Sequence, residues 1–289
     1  MQVFLTGATG YIGSAVADAL RNAGYAVAGL ARSADQERLL AARGMGAHRG
    51  DLRDPASVAE GARQADAVIH TAFAAAEDAP QVDGAAVQAI LTELGHLNRP
   101  FIYTSGCWVH GNTGDRVADE DTPLAPIPFV AWRPAVEQLV LAAARRGVQG
   151  VVLRPVIVYG RGGGLVRAFV QSARERGAAR IIGSGENRWT FVHVDDLADL
   201  YVRALRAPSG TLLLGAHGPA RRIRDVAEAA SRAAGAGGKV EMVPLEEARK
   251  TMGPVADGLA IDQQISGERL LGWRPKGPSV LEDLAGGRY

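Results

Sequence analysis

The sequence predicts an α/β protein, a doubly wound parallel sheet with a smaller C-terminal lobe. Three observations predict it. Through the first half, short β-branched runs alternate with helical stretches, the rhythm of parallel strands covered on both faces. A glycine-rich turn, TGATGYIG at 6–13, follows the first of those runs directly. After residue 156 the texture changes to glycine-rich loops, shorter strands and scattered helices.

The elements follow in order. QVFLTG (2–7) predicts a strand, and IGSAVADALRNAG (12–24) a helix stopped by a glycine. YAVAGLAR (25–32) predicts a second strand, ADQERLLAARG (34–44) a helix, and 46–49 a short strand. Asp54-Pro55 has the pattern of an N-cap followed by a first-turn proline. ADAVIHTA (65–72) and PFIYTSG (100–106) predict buried strands with a long helical segment between them. VEQLVLAAARRG (136–147) predicts a helix and VQGVVLRPV (148–156) a strand. The expected division is therefore a nucleotide-binding part at 1–156 and a smaller substrate lobe at 157–289, with the chain crossing back near 189–206. No linker or repeat separates them, so one cooperative unit is expected.

The chain has 289 residues, 47% hydrophobic and 22% charged, ordinary for a globular protein with a sizeable core. Its 32 basic and 31 acidic side chains nearly cancel, which leaves no electrostatic footprint for nucleic acid or an anionic membrane. Cys107 is the single cysteine, so an internal disulfide and a cysteine-built metal site are both excluded. The start, MQVFLTGA, has no basic leader, and no run approaches the ~20 apolar residues of a membrane span. A cytoplasmic protein is expected. The basic residues are 29 arginines and three lysines, Lys239, Lys250 and Lys276.

The turn at 6–13 carries glycines at 7, 10 and 13, one residue wider than GxGxxG. Following a strand and opening a helix, it suits a pyrophosphate, which small residues let approach and free N–H groups hold. Gly7, Ala8, Thr9, Gly10, Tyr11, Ile12 and Gly13 are the expected phosphate contacts. NAD binders end the second strand with a carboxylate for the ribose 2′-OH. Here it ends in Arg32 and Ser33, a cation beside a hydroxyl, which favours NADP over NAD.

Taken together, several motifs resemble those of the short-chain dehydrogenase/reductases, in the extended or atypical form of the NAD-dependent epimerase/dehydratase type. Besides TGATGYIG they are GDLRD (50–54), DAVIHTAF (66–73), FIYTSGCWVHG (101–111), LRPVIVYGRGGG (153–164), GSGENRWTFVHVDDLA (183–198) and LGWRP (271–275). The resemblance implies a Rossmann sheet. It adds Asp51, Leu52, Thr71, Ala72, Phe73, Thr104, Arg133, Pro155, Val156 and Ile157 to the cofactor contacts. It also implies a homodimer through a four-helix interface.

In that family a tyrosine, a lysine four residues later and a Ser or Thr move the proton that accompanies hydride transfer. Glu137 matches the glutamate eight residues beyond the tyrosine, which places Phe129 at the tyrosine position and Arg133 at the lysine position. Counting back from Val109 places Gly106 at the hydroxyl position, with Ser105 beside it. No shift of register restores the pair, because Gly235, Glu246 and Gly272 precede the three lysines by four. Phe129 cannot donate a proton, and Arg133 keeps a charge for the ribose but is no acid near neutrality.

Replacement donors are Tyr159 first, then His110. His193 is expected to be structural, with Asp195 capping the next helix. Cys107 is either a nucleophile or a buried inert thiol, and His70 packs beneath the cofactor. Gly106, Trp108, Phe129, Trp132, Tyr159 and Trp189 are the expected substrate pocket. No metal constellation and no Ser-His-Asp arrangement is present. The expected function is an NADP(H)-binding oxidoreductase acting on a small apolar or aromatic carbonyl, enone or imine without the Tyr-Lys pair. The alternatives are an NADP-using epimerase, dehydratase or isomerase, and a non-catalytic NADP sensor acting through a protein partner.

Overall fold

The computed structural model describes residues 1–74, 76–267, 269 and 271–289. The first half runs β1 (Gln2–Thr6), α1 (Tyr11–Asn22), β2 (Ala26–Ala31), α2 (Ala34–Ala42), β3 (Gly46–Arg49), α3 (Pro55–Arg63), β4 (Ala67–His70), α4 (Ala79–Glu93) and β5 (Pro100–Thr104). The middle holds β6 (Val117–Ala118), α5 (Arg133–Leu141), β7 (Gln149–Pro155), β8 (Ile157–Gly160), α6 (Gly164–Arg176), β9 (Ala179–Ile182), β10 (Arg188–His193) and α7 (Val194–Ala204). The rest is β11 (Thr211–Gly215), β12 (His217–Arg222), α8 (Ile223–Ala233), β13 (Val240–Val243), α9 (Leu245–Met252), α10 (Val255–Ala260), β14 (Gln264–Ile265) and α11 (Val280–Ala285).

The main sheet has seven strands in the order β11-β7-β5-β4-β1-β2-β3, and every neighbouring pair is parallel. The order reverses between β1 and β4, so a crevice opens there at the carboxyl ends of the strands. Both faces are covered, which is why the strands read as near-continuous apolar runs. Along β1, Val3 and Leu5 enter the core beneath α1 and α7, while Phe4 enters the other beneath α3, α4 and α5. The smaller sheets are β12-β10-β8, β13-β9 and β14-β6.

Local chemistry sets the boundaries. Asp54 caps α3 by accepting the Ala56 N–H at 3.1 Å, as its Asp-Pro pattern predicts, and Ser33 caps α2 by accepting from Gln36. Several boundaries differ from expectation; the helix expected to run to 147 ends as an α-helix at Leu141 and continues as a 3-10 segment, Ala142–Arg146. β5 stops at Thr104 because the chain turns there into a short 3-10 segment, Cys107–His110. That turn sets Ser105 and Gly106 at the sheet's carboxyl edge. α5 starts at Arg133, three residues early, because Pro134 in the first turn needs no N–H acceptor.

The returning chain reaches further than 206. α7 packs on α1, and β11 then joins the main sheet beside β7, whereas β10 belongs to the three-stranded sheet. No helix among the described residues is long and apolar enough to cross a membrane.

Candidate active site

The glycine loop leaves β1 and enters α1. Gly7 has φ +75°, a left-handed conformation that favours glycine, and an added Cβ would lie 2.8 Å from the Ala72 nitrogen. At Gly13 an added Cβ would lie 2.1 Å from the Gly7 carbonyl oxygen. Gly10 stands at the N-cap with no side chain bonded there. The first-turn N–H groups of Tyr11, Ile12 and Gly13 therefore have no intrahelical acceptor and form a site fit for a phosphate. Ala8 is buried beneath the loop, and Thr9 is half-buried beside it.

The parallel sheet brings the other expected cofactor residues to the same edge. Arg32 is exposed just after β2, its N–H donating to Gln36 Oε1 at 2.8 Å, and the Ser33 hydroxyl keeps its own proton free to donate. The Gly50 N–H donates to the Ala31 carbonyl, which sets Asp51 and the buried Leu52 beside them. The Thr71 hydroxyl donates to the Thr6 carbonyl at 2.8 Å, tying the end of β4 to the start of the loop, and Ala72 and exposed Phe73 follow. At the end of β5 the Thr104 hydroxyl meets the Tyr201 hydroxyl at 2.6 Å, so it is turned away from the cleft.

A cleft of about 360 Å³ opens above this edge. Its floor includes Tyr11, Ile12 and Pro155, Val156 and Ile157. One wall is aromatic: Phe129 lies edge-on to Phe73 and to Trp108, each at 6.1 Å. Gly106 has extended backbone and nothing within 4 Å of an added Cβ, so it leaves the cleft open. Arg133 is clamped: it donates to the Thr104 carbonyl at 2.8 Å, and its guanidinium lies 4.8 Å from the Trp132 ring and 5.5 Å from the Phe73 ring. The Ser105 hydroxyl and the Trp108 Nε1 are buried with no hydrogen-bond partner among the described residues.

Several expected site residues lie elsewhere. Tyr159 is outside the cleft; β8 pairs it with His193 of β10, and its hydroxyl donates to the Pro278 carbonyl. Burial raises its phenol well above the usual range, so it is no proton donor here. Trp132 stacks on Arg133 but does not line the cleft. Trp189 is 2% exposed, stacked on Phe169 and donating to the Ile261 carbonyl, in a different cavity.

Of the remaining candidates, His110 and His193 each have one ring nitrogen engaged, and His110 Nδ1 is buried with no hydrogen-bond partner among the described residues. His110 is buried, its Nε2 accepting from Arg154 at 3.2 Å, and burial followed by the Arg154 charge pulls it down to about 4. His193, rather than Asp195, caps α7 by accepting the Asp195 N–H, while Asp195 pairs with Arg161. Cys107 lines the cleft, but burial pushes its thiol up to about 12, which leaves it a poor nucleophile.

Two buried networks support this edge. The Thr6 hydroxyl meets His70 Nδ1 at 2.8 Å, His70 Nε2 meets Asp83 at 3.1 Å, and the Tyr103 hydroxyl donates to Asp83 at 2.7 Å. Burial would raise the Asp83 carboxyl, but the His70 bond and charge, with Arg133, hold it below the usual range. Behind the 3-10 turn, Arg154 forms a two-bond pair with fully buried Glu137. The signals in the sequence were a charge inside the strand VVLRPV and one inside the apolar helix around Asp83.

A doubly wound parallel sheet with an open helix end and a cleft at its switch point defines a nucleotide-binding α/β protein. The chain belongs to the NAD dependent epimerase/dehydratase family, whose profile matches residues 3–213, and so to a family that binds a nicotinamide cofactor. An uncharacterized Schizosaccharomyces pombe protein is 32% identical, each chain covered over 100% of its length. A 2-alkyl-3-oxoalkanoate reductase of Stenotrophomonas maltophilia is 29% identical over 72% of this chain and 66% of its own. The structure of Thermus thermophilus UDP-glucose 4-epimerase with NAD superposes with a TM-score of 0.81 at 23% identity over 99% of both chains, a likeness of fold.

Proposed function

We propose that the protein is an NADPH-dependent oxidoreductase that reduces a small apolar or aromatic carbonyl, enone or imine without a side-chain proton donor. One observation supports this reading: Ser105, its hydroxyl buried and unpaired, and the fixed cation Arg133 line the cleft, and among the described residues that line it none gives up a proton readily near neutrality. Burial raises Tyr11 far above its usual range and Cys107 to about 12. Arginine stays charged throughout.

In this reading the α1 N-terminus holds the pyrophosphate, and Arg32 with Ser33 holds a 2′-phosphate. Bound NADPH supplies the hydride. The Ser105 side chain, at the cleft wall with its hydroxyl unpaired, turns toward the bound substrate and donates a hydrogen bond to the oxygen or nitrogen where negative charge develops. Arg133, held by Thr104 and its two aromatic neighbours, keeps N–H groups for the nicotinamide ribose. Phe129, Trp108 and Phe73 exclude water and select a flat or apolar substrate. Gly106, Phe129 and Arg133 then stand at the family's hydroxyl, tyrosine and lysine positions, and water admitted on the open Gly106 side gives a proton to the product oxygen or nitrogen. The Stenotrophomonas relative, by its name a reductase of an alkyl-bearing oxo acid, supports an apolar oxo substrate.

The test is NADPH consumption with a panel of aryl aldehydes, alkyl ketones, cyclic enones and cyclic imines, alongside UDP-glucose. Consumption with apolar acceptors and none with the sugar nucleotide is expected. Tight NADPH binding with no turnover on the whole panel would overturn the reading in favour of a non-catalytic binding protein.

A further inference from the structure

A second cavity, of about 260 Å³, lies between α6, β9, Trp189 and the α9 segment. It adjoins the cleft at one side chain: Leu165 lines both. From Leu165 the face of α6 continues through Ala168, Phe169 and Ser172, all lining the cavity at the i, i+3, i+4, i+7 spacing of one helix face. One face of α6 therefore lines this space and reaches the edge of the candidate reaction site at Leu165.

The lining is apolar, and most of its polar groups are engaged within the protein. The Ser172 hydroxyl donates to the Phe169 carbonyl at 3.0 Å and accepts the Arg180 N–H at 3.0 Å. The Thr251 hydroxyl donates to the Ala248 carbonyl, and Trp189 Nε1 donates to the Ile261 carbonyl. Arg180 Nε is the exception: it lies 3.3 Å from a carboxylate oxygen of Glu241 but is buried with no hydrogen-bond partner among the described residues. A nucleotide's base and phosphates would find few donors left, and burying them without partners is unfavourable. At ~30 Å³ for a water-sized group, a space of about 260 Å³ holds roughly nine such groups, the volume of a medium-length alkyl chain. Met252, exposed at the outer wall, is a side chain that adapts to such a chain.

We infer that this cavity receives an unbranched apolar tail of the substrate, its reactive head in the cleft and its chain running along α6 past Leu165. The inference rests on the reductase reading for the head group and names the substrate class as a ketone, enone or imine bearing an alkyl chain.

The probes are straight-chain 1-alkanols from butanol to decanol, titrated calorimetrically into the full chain with NADPH bound. Binding is expected to tighten about fourfold for each added methylene until the cavity is filled, the ~0.8 kcal/mol per buried CH₂ converted at room temperature, and to level off beyond that length. Ala168→Trp is expected to flatten that series, because the indole would occupy the cavity from the solvent-facing side of α6. An unchanged NADPH affinity would show that the variant is folded. A flat series in the unsubstituted protein, an undiminished series in folded Ala168→Trp, or UDP that displaces decanol would each overturn the inference. The unsubstituted series decides the matter if the variant fails to fold. Because the readout is binding, a steep series with no NADPH consumption on any acceptor would defeat only the reductase reading.

Discussion

Ser105→Ala should stabilise the protein while removing most of its activity. The Ser105 residue is 7% exposed, and its hydroxyl has no hydrogen-bond partner among the described residues. A buried hydroxyl without a partner carries a desolvation penalty of about 1–3 kcal/mol, which alanine removes while keeping the Cβ. In a chain of this size that corresponds to a rise of a few degrees in the unfolding midpoint. In the reaction the same hydroxyl would be the donor at the developing negative charge, and losing one such donor lowers kcat by roughly 10²–10³. The assays are urea unfolding of the free protein, NADPH titration, and turnover on whichever acceptor the panel identifies. Higher stability, unchanged NADPH affinity and a kcat loss near two orders of magnitude are expected. A destabilised variant would mean that the hydroxyl is bonded in the resting fold, and an unchanged kcat would mean that it touches no reacting atom.

Two further outcomes follow from other parts of the structure. Arg32→Ala should erase a preference for NADPH over NADH, because a charge-assisted hydrogen bond contributes about 1.5–3 kcal/mol, roughly 10- to 150-fold; equal affinities for the two in the unsubstituted protein would defeat the NADP assignment. His110 should make the fold acid-sensitive. Its folded pKa, about 4, lies below the ordinary 6.5, so the unfolded chain binds the proton first and stability is lost as pH falls from 6.5 toward 4. That difference corresponds to about 3 kcal/mol at most. Urea midpoints should show this loss, and His110→Gln, which can still accept from Arg154, should flatten it.

The sequence disclosed what depends on short-range pattern. The glycine loop, the strand-helix alternation and the Asp54 cap all lie within a few residues of their cause, and the parallel sheet follows from the alternation. Features that depend on partners far along the chain were misread. Tyr159 looked like a replacement donor because its segment borders the cleft, but its orientation is set by β10 and by Pro278, 119 residues away. Trp189 was drawn into the wrong pocket for the same reason: Phe169 and Ile261 fix it. His110 was read as the second replacement donor, yet it is buried, with its Nε2 accepting from Arg154, 44 residues on. Ser105 stood out only as the neighbour of Gly106; that its hydroxyl is unpaired required the packed wall around it.

The central claim is that reduction proceeds without a titrating side chain, and the pH dependence of single-turnover hydride transfer tests it most directly. His110 is already neutral above about pH 5 and Cys107 keeps its proton below about pH 11, so the rate should be flat from about pH 5.5 to 9. With a ketone or enone acceptor, which has no ionisation of its own in that range, a limb falling as a single acid loses its proton would mean that a side chain delivers the proton after all.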